Sequence, residues 1–145
     1  MSVEEMAPVM ESIISHEGSK TKVYKDTKGN PTVGVGYKLT GTNAPQAKED
    51  FKELEIDYDA VLSGAAELTP NQVDALTIKS VSRARAASSR IIKNFESQPD
   101  SVKDVVTEMV FQLGPTGFKK FKKTIAAIEE GDYEKAADEL EDSQV

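Results

Sequence analysis

The apolar positions near the N-terminus repeat with the period of a helix. Apolar residues at positions 10, 13 and 14 are followed by Glu17, which falls at i+7 on the same face. Pro8 suits a first helical position, because its missing N–H costs nothing there. Gly18 suits the end, because glycine readily adopts the left-handed conformation of a C-terminal cap. The pattern therefore predicts a helix from Pro8 to Glu17 that carries a carboxylate in line with its apolar stripe.

The pattern then changes to that of a glycine-rich hairpin. Residues 22–25 predict one strand, residues 26–30 a turn, and Pro31 the start of the returning strand. On the returning strand the small residues alternate with larger ones, so that the small set shares one face; the small set is Thr32, Gly34 and Gly36, and the larger set is Val33, Val35 and Tyr37. A ligand could approach the backbone of the nearly bare face closely.

The rest of the chain predicts helices. A loop at residues 40–45 precedes a short charged helix at 46–54, and Thr69-Pro70-Asn71-Gln72 forms a capping box that begins a longer helix through Ala84. Three further helices are predicted: one that starts at residues 98–101 and is broken at 114–117, one at 118–130, and one that follows the stop and cap at 131–132. One small hairpin among many helices indicates the α+β class.

Composition narrows the chemistry. The chain has 145 residues and a net charge of −7, which argues against nucleic acid as the main partner. It has no cysteine and one histidine, His16, so a disulfide, a cysteine nucleophile and a multi-histidine metal site are excluded. We expect no metal and no cofactor. A Ser-His-Asp site built on His16 stays open but has no support. With no long apolar run and no signal-like N-terminus, we expect neither membrane insertion nor export by a classical signal.

Glu17, Asp26 and Thr32 are the candidate catalytic residues. Each alone is explained more simply, as a helix-end, turn or strand residue. Together they bring two carboxylates and a hydroxyl to one glycine-lined face, which is the set of groups that a glycosidase uses. The apolar stripe and the negative end of the helix both disfavour a charge on Glu17, as a general acid requires.

This stretch resembles the phage lysozymes of the T-even type, glycoside hydrolase family 24. Residues 109–114 with Thr116, Gly117 and Phe121, and residues 133–137 with Leu140 and Ser143, resemble two later family segments. The resemblance implies that Glu17 is the general acid, Asp26 the second catalytic carboxylate and Thr32 the hydroxyl that helps hold the attacking water. The predicted substrate contacts are Gly36 on the bare face and, from the resemblance, Lys38, Phe111, Thr124 and Glu139. Among the last four, only Phe111 is of the family's usual residue type.

The resemblance also implies an organisation and a substrate. It implies one lysozyme-like domain with a β-containing lobe at residues 15–68, a connecting helix at 69–85, and a helical lobe at 86–145 with 1–14, the substrate cleft lying between the lobes. The expected activity is inverting hydrolysis of the β-1,4 bond between N-acetylmuramic acid and N-acetylglucosamine in bacterial peptidoglycan. The expected source is a phage. The protein would act either as a free endolysin, as a monomer, that passes from the host cytoplasm to the wall, or in the virion beside particle proteins.

One departure from the family concerns a buried pair. The family has a histidine after the second glycine of the strand, paired with an acid on the long helix. Here those positions are Tyr37 and Ser80, so we expect packing and a hydroxyl in place of the ion pair.

Two alternatives come from other classes of function. The first is a virion-associated structural or wall-binding module with a lysozyme fold and little turnover, suggested by the acidic charge, the altered sugar contacts and the end of the sequence soon after Ser143. The second is a helical interaction domain whose hairpin is incidental. Binding to peptidoglycan without cleavage would favour the first, and neither binding nor cleavage the second.

Overall fold

The computed structural model describes the chain from residue 3 to residue 143, and its side chains from residue 8 to residue 142. Within that range the chain divides into two compact units, residues 3–80 and residues 81–143, which we call the N-terminal unit and the C-terminal unit. Helices occur in both units, and the N-terminal unit also contains a small sheet. The predicted α+β class is confirmed.

The N-terminal unit contains a three-stranded antiparallel sheet in the order β1-β2-β3. Its elements are α1 (Val3–Glu17), β1 (Lys20–Lys25), β2 (Pro31–Gly34), β3 (Tyr37–Lys38), a 3₁₀ turn (Gly41–Asn43), α2 (Ala44–Glu53) and α3 (Tyr58–Ser63). A sheet this small needs helices packed on it to be stable. The core of the unit therefore combines residues of α1, the sheet, the segment after β3 and α2, including Ile13, Val33, Leu39 and Phe51, which are fully buried.

Helix α1 begins before the predicted start. It starts at Val3, so Pro8 lies inside the helix and the prediction that Pro8 begins it is wrong. The rule failed because the fixed φ of proline is compatible with a helix interior, at the cost of one hydrogen bond to the preceding turn. The predicted end is confirmed: Gly18 has a φ of +75°, and its N–H donates to the Ile14 carbonyl at 2.8 Å.

The single returning strand predicted for residues 31–37 is also wrong. The chain reverses within it, so that β2 ends at Gly34, β3 begins at Tyr37, and Val33 pairs with Tyr37. Gly34 and Gly36 have φ of +63° and +65°, which glycine adopts without the steric cost that a side chain would bring. The predicted alternation of faces therefore does not continue beyond Gly34.

The Tyr37 hydroxyl has a hydrogen-bond partner that the sequence did not predict. Its hydroxyl donates to the Asp50 carboxylate of α2 at 2.5 Å, and Gln46 Nε2 donates to the other oxygen of that carboxylate at 3.1 Å. Asp50 is 0% exposed. The expectation that only packing and a hydroxyl replace the family's buried pair needs correction, because a buried acid is present and comes from α2, thirteen residues along the chain.

Helix α4 (Pro70–Ile91) begins at the predicted capping box. The Thr69 N–H donates to Gln72 Oε1 at 2.8 Å, and the Gln72 N–H donates to Thr69 Oγ1 at 3.1 Å. The helix extends past the predicted end at residue 85, and the division between the two units falls inside it, after Ser80. This division groups residues 3–14 with the N-terminal unit, whereas residues 1–14 were predicted to belong to the helical lobe.

The C-terminal unit is helical in its described part. After the end of α4 come a 3₁₀ turn (Phe95–Ser97), α5 (Asp100–Lys119), α6 (Lys122–Glu129) and α7 (Tyr133–Ser143). The predicted break near residue 114 is confirmed as a kink in α5, where Gly114 has a φ of 75° and a ψ of 160°. Asp132 Oδ1 accepts a hydrogen bond from the Lys135 N–H at 3.1 Å, as predicted for the cap of α7. The core consists of buried apolar residues such as Ile92, Phe95, Val106, Val110, Phe118 and Ile128.

Candidate active site

Glu17 lies at the C-terminal end of α1, against the turn between β2 and β3. A Cβ atom added to Gly36 would lie 3.0 Å from Glu17 Oε2, so the carboxyl group lies directly over the Gly36 backbone. Glu17 is exposed, although Ile13 on the same helix is 0% exposed. The expectation that the apolar stripe removes Glu17 from water is therefore not met within this structure. The glycine at position 36 is what allows the carboxyl group to approach the chain so closely.

Asp26 is held by the turn that it begins. Its Oδ1 accepts hydrogen bonds from the N–H groups of Lys28 and Asn30 at 2.9 and 2.8 Å, and its Oδ2 lies 3.8 Å from Lys38 Nζ. The Asn30 N–H has the largest effect in lowering the pKa of Asp26 below its ordinary value of 3.8; the Lys28 N–H, the Asn30 side chain and the Lys38 ammonium add to it, and partial burial opposes it. Asp26 is therefore ionised at neutral pH.

Thr32 lies in the central strand of the sheet, between Tyr24 of β1 and Lys38 of β3 in the strand register. It is 2% exposed, and its hydroxyl donates to the Asn30 carbonyl at 2.9 Å. Since the hydroxyl proton is used in that bond, the lone pairs of the oxygen remain as acceptors. The side chain thus has a defined orientation.

Tyr24 and Asn30 had no role in the sequence-based prediction of the site. Burial raises the pKa of Tyr24, and the negative charges of Glu17 and Asp26 raise it further, so both carboxyl groups act on the same phenol. Asn30 donates its backbone N–H to Asp26 and accepts from Thr32. The signals that could have found them are the spacing of two between Tyr24 on β1 and Asp26 just after its end, and the Asx-turn pattern of residues 26–30.

The predicted substrate contacts fall into both units. Gly36 and Lys38 belong to the N-terminal unit and lie beside Glu17 and Asp26 respectively. The other three lie on three different helices of the C-terminal unit: Phe111 on α5, Thr124 on α6 and Glu139 on α7.

The side chains of the three C-terminal residues have different surroundings. Phe111 packs against the core of the unit, and Glu139 lines a polar pocket with Lys120 and Lys123. Thr124 is 3% exposed, so a sugar contact there requires its hydroxyl to become accessible. The contacts of these residues with sugar stay predictions.

Across residues 3–143, no group of three or more His, Cys, Asp or Glu residues is arranged to hold a metal ion. Over the same described range, no helix combines the length and the apolar character that crossing a bilayer requires.

The chemistry of the N-terminal unit is that of paired carboxyl groups. One is exposed at a helix end, the other is kept ionised by a turn, and both act on Tyr24. One carboxyl group that can donate a proton and one carboxylate that can accept a proton from water are what a glycoside hydrolase uses. The fold and this site together indicate that class of enzyme.

Comparison with known proteins identifies the family. The phage lysozyme family matches residues 14–144 of this chain. The probable T4-type lysozymes 2 and 1 of Dictyostelium discoideum are 32% and 29% identical over 132 residues, which are 88% of this chain and 78% of each relative. The pre-baseplate central spike protein Gp5 of Enterobacteria phage T4 is 27% identical over 124 residues, which are 83% of this chain and 22% of that protein.

Because the family match covers most of its length, this chain belongs to the phage lysozyme family. The predicted resemblance and the predicted enzyme class are confirmed: the chain is a lysozyme of the T4 type and a glycoside hydrolase.

Proposed function

We propose that this lysozyme hydrolyses the β-1,4 bond between N-acetylmuramic acid and N-acetylglucosamine in peptidoglycan, with inversion at the anomeric carbon. The observation that carries the proposal is the contrast between two carboxyl groups of one unit. Glu17 is exposed over Gly36, whereas Asp26 accepts two backbone N–H bonds that keep it charged. Such a contrast suits an acid and a base with separate roles.

In the proposed reaction Glu17 is the general acid. Its proton passes to the glycosidic oxygen as the bond from that oxygen to the anomeric carbon breaks, which leaves Glu17 as a carboxylate. Water adds to the opposite face of the anomeric carbon, and its proton passes to Asp26. Thr32 would orient this water by accepting a hydrogen bond from it, since the Thr32 hydroxyl already donates to the Asn30 carbonyl; because Thr32 is 2% exposed, this contact requires its oxygen to become accessible to the water. Inversion predicts a carboxyl separation of about 6.5–9.5 Å, which leaves room for the water.

Clearing of purified peptidoglycan by the protein and by two matched variants tests the catalytic role of Glu17. Glu17→Gln removes the proton donor, so we expect loss of activity with the folded state intact. Glu11→Gln makes the same chemical change at another exposed position of α1 and should leave clearing unchanged. Circular dichroism checks that all three proteins are folded. Clearing by Glu17→Gln at the wild-type rate would refute the assignment of the acid.

Two readouts of the products test the bond and the stereochemistry. Borohydride reduction of the digest converts the new reducing end to an alditol, and the proposal expects muramitol rather than glucosaminitol. Proton NMR during the first minutes shows which anomer forms before mutarotation, and inversion expects the α anomer. The β anomer first would contradict inversion while leaving hydrolysis in place.

We also propose that the lysozyme is phage-encoded and carried in the phage particle. The likeness to a central spike protein supports this location, and a lysozyme there would open the wall during entry. Immunodetection in particles purified by density gradient should find the chain at a fixed ratio to the other particle proteins. Its presence only in the unbound fraction of the lysate would instead indicate a free endolysin. A folded protein that binds peptidoglycan without clearing it would favour the wall-binding module.

A further inference from the structure

An apolar groove lies between α5 and α7 of the C-terminal unit. Val102, Val105 and Met109 of α5 form one wall, and Ala137 and Leu140 of α7 contribute to the other. The groove has a volume of about 260 Å³, and Val105 is 55% exposed, so it is open to solvent along α5. Single exposed apolar residues are common, but a continuous apolar groove on a surface indicates a place where another molecule binds.

The floor of the groove contains a polar atom that is not satisfied. Thr124 and Ile128 of α6 form this floor. Thr124 is 3% exposed, and its Oγ1 makes no hydrogen bond with any described residue. A buried hydroxyl normally has a partner, because leaving it unpaired costs free energy. The unpaired hydroxyl is therefore a second sign, independent of the exposed wall, that the groove is completed by an occupant.

Glutamates occupy the outer edges of the groove. On α7, Glu134 and Glu141 are exposed and lie three residues before and four residues after Ala137, so they share its edge of the helix. On α5, Glu108 lies three residues after Val105 and shares the edge next to it. Both edges therefore carry acidic side chains. An occupant with cations beside its apolar face would complement them.

The length of the groove corresponds to two turns of a helix. Its lining on α5 extends from Ser101 to Met109, which is about 12 Å at about 1.5 Å per residue. An amphipathic helix that enters a groove uses apolar residues at i, i+3 or i+4, and i+7, which span about the same distance. A small molecule instead needs a site that encloses most of its surface, and the exposed wall does not provide one. The shape therefore favours a helix as the occupant.

A second copy of this chain fits the groove less well. In a symmetric dimer through the groove, the same face of both copies would meet. Glu134 and Glu141 of one copy would then lie against the acidic edges of the other, and Lys135 is on the opposite side of α7 from Ala137. Like charges brought together in an interface oppose association. The charges of the groove thus favour a different protein, which supplies the cations.

We propose that this groove binds a basic amphipathic helix of another protein. The apolar face of that helix covers Val105 and Met109, and lysine or arginine side chains at its flanks face the glutamates on α5 and α7. The groove is lined by the C-terminal unit and contains none of the proposed catalytic residues. Its binding activity is therefore an addition to the proposed hydrolysis and does not depend on which bond the enzyme cleaves.

Two synthetic peptides of about 18 residues, long enough to be helical alone, test this proposal. Both carry leucine at i, i+3, i+4 and i+7, but the first carries lysine at the flanking positions and the second glutamate. We expect the lysine peptide to shift NMR amide signals of α5, α6 and α7 around the groove. Its Kd should be about tenfold lower than that of the glutamate peptide, which is the joint effect of two or three exposed ion pairs. Equal Kd values, or shifts away from the groove, would overturn the proposal.

Matched substitutions separate the groove from the overall negative charge of the chain. Val105→Asn removes an exposed apolar side chain of the groove, so we expect it to raise the Kd of the lysine peptide about tenfold. Ile14→Asn makes the same kind of change at an exposed apolar residue of α1 and should leave that Kd unchanged. Circular dichroism checks that the variants are folded. Wild-type affinity in a folded Val105→Asn protein would contradict the proposal.

Removal of charge from one edge of the groove gives an independent test. Glu134→Gln combined with Glu141→Gln should raise the Kd of the lysine peptide about fivefold, as expected for two exposed ion pairs. Glu11→Gln combined with Glu49→Gln changes the net charge equally at exposed positions elsewhere and should have little effect. Equal effects of the two double variants would show that net charge alone attracts the peptide. Sedimentation of wild type without peptide should show a monomer; a dimer that Val105→Asn dissociates would assign the groove to a second copy and overturn the proposal.

Discussion

Thr124→Val should stabilise this protein, although it removes a hydroxyl that was predicted to contact sugar. Thr124 is 3% exposed, and among the described residues no group makes a hydrogen bond with its Oγ1. Burial of an unpaired hydroxyl costs about 1–3 kcal/mol in protein mutational data. Valine has nearly the same shape and places a methyl group where the hydroxyl was. We therefore expect the free energy of unfolding to rise by about 1–2 kcal/mol.

Thr107→Val is the matched control for this prediction. Thr107 is 0% exposed in the same unit, and its hydroxyl donates to the Lys103 carbonyl at 2.7 Å. The substitution there loses a hydrogen bond of about 1 kcal/mol net, which the added methyl group partly offsets. Because both substitutions change the unfolded chain in the same way, the difference between them reports on the folded state. Thr107→Val should be neutral or slightly destabilising.

Urea unfolding followed by circular dichroism measures both variants, and an unchanged m-value keeps the comparison valid. For a chain of this size each kcal/mol should also raise Tm by about 2–4 °C. If Thr124→Val is no more stable than Thr107→Val, the Thr124 hydroxyl has a partner and the reasoning fails. Loss of clearing by a more stable Thr124→Val would separately support the predicted sugar contact.

Three further predictions concern the N-terminal unit. Tyr37→Phe should lower the free energy of unfolding by about 1–3 kcal/mol, because it leaves the fully buried Asp50 one donor short; unchanged stability in urea would contradict this. Folding lowers the pKa of Asp26, so its ionised form stabilises the fold above the ordinary pKa, and this contribution is lost as pH falls through the lower folded value. Asp26→Asn should therefore lose less stability than wild type between about pH 5 and pH 2. Equal losses of stability in the two proteins would refute this prediction. Gly36→Ala should cost about 1–2 kcal/mol for its positive φ and slow peptidoglycan clearing by displacing Glu17, so a stable, fully active variant would argue against the site geometry.

The features that the sequence predicted well depend on neighbours along the chain. The capping box of Thr69 and Gln72, the stop at Gly18 and the cap at Asp132 are each made by groups within four residues of one another. Their chemistry does not require knowledge of the tertiary fold. The glycines and acids of the hairpin also lie close together in the sequence, and their occurrence together was enough to predict the class of enzyme.

The features that were missed depend on contacts between distant segments or on competing backbone preferences. The alternation of small and larger residues from Thr32 to Tyr37 fits one strand. Two glycines that can adopt a positive φ allow the same residues to form a turn instead. The bond from Tyr37 to Asp50 joins β3 to α2, and a charged residue in a helical pattern carries no sign that it is buried. The burial of Thr124 likewise follows from the packing of α6 and not from its own sequence.

If Asp26 is the proposed base, the turn that holds it allows a single substitution to separate catalysis from folding. Its backbone donors need an oxygen acceptor, and the amide of asparagine supplies a neutral one, which lets the turn form with weaker hydrogen bonds than the carboxylate makes. Under the proposed mechanism, one base change in a GAT or GAC codon, giving AAT or AAC, would therefore remove the base of the hydrolase and leave a turn that can still form. A descendant of this kind that bound peptidoglycan would be retained wherever attachment to the wall is useful in itself, and the same substitution would then give engineers a non-lytic wall probe.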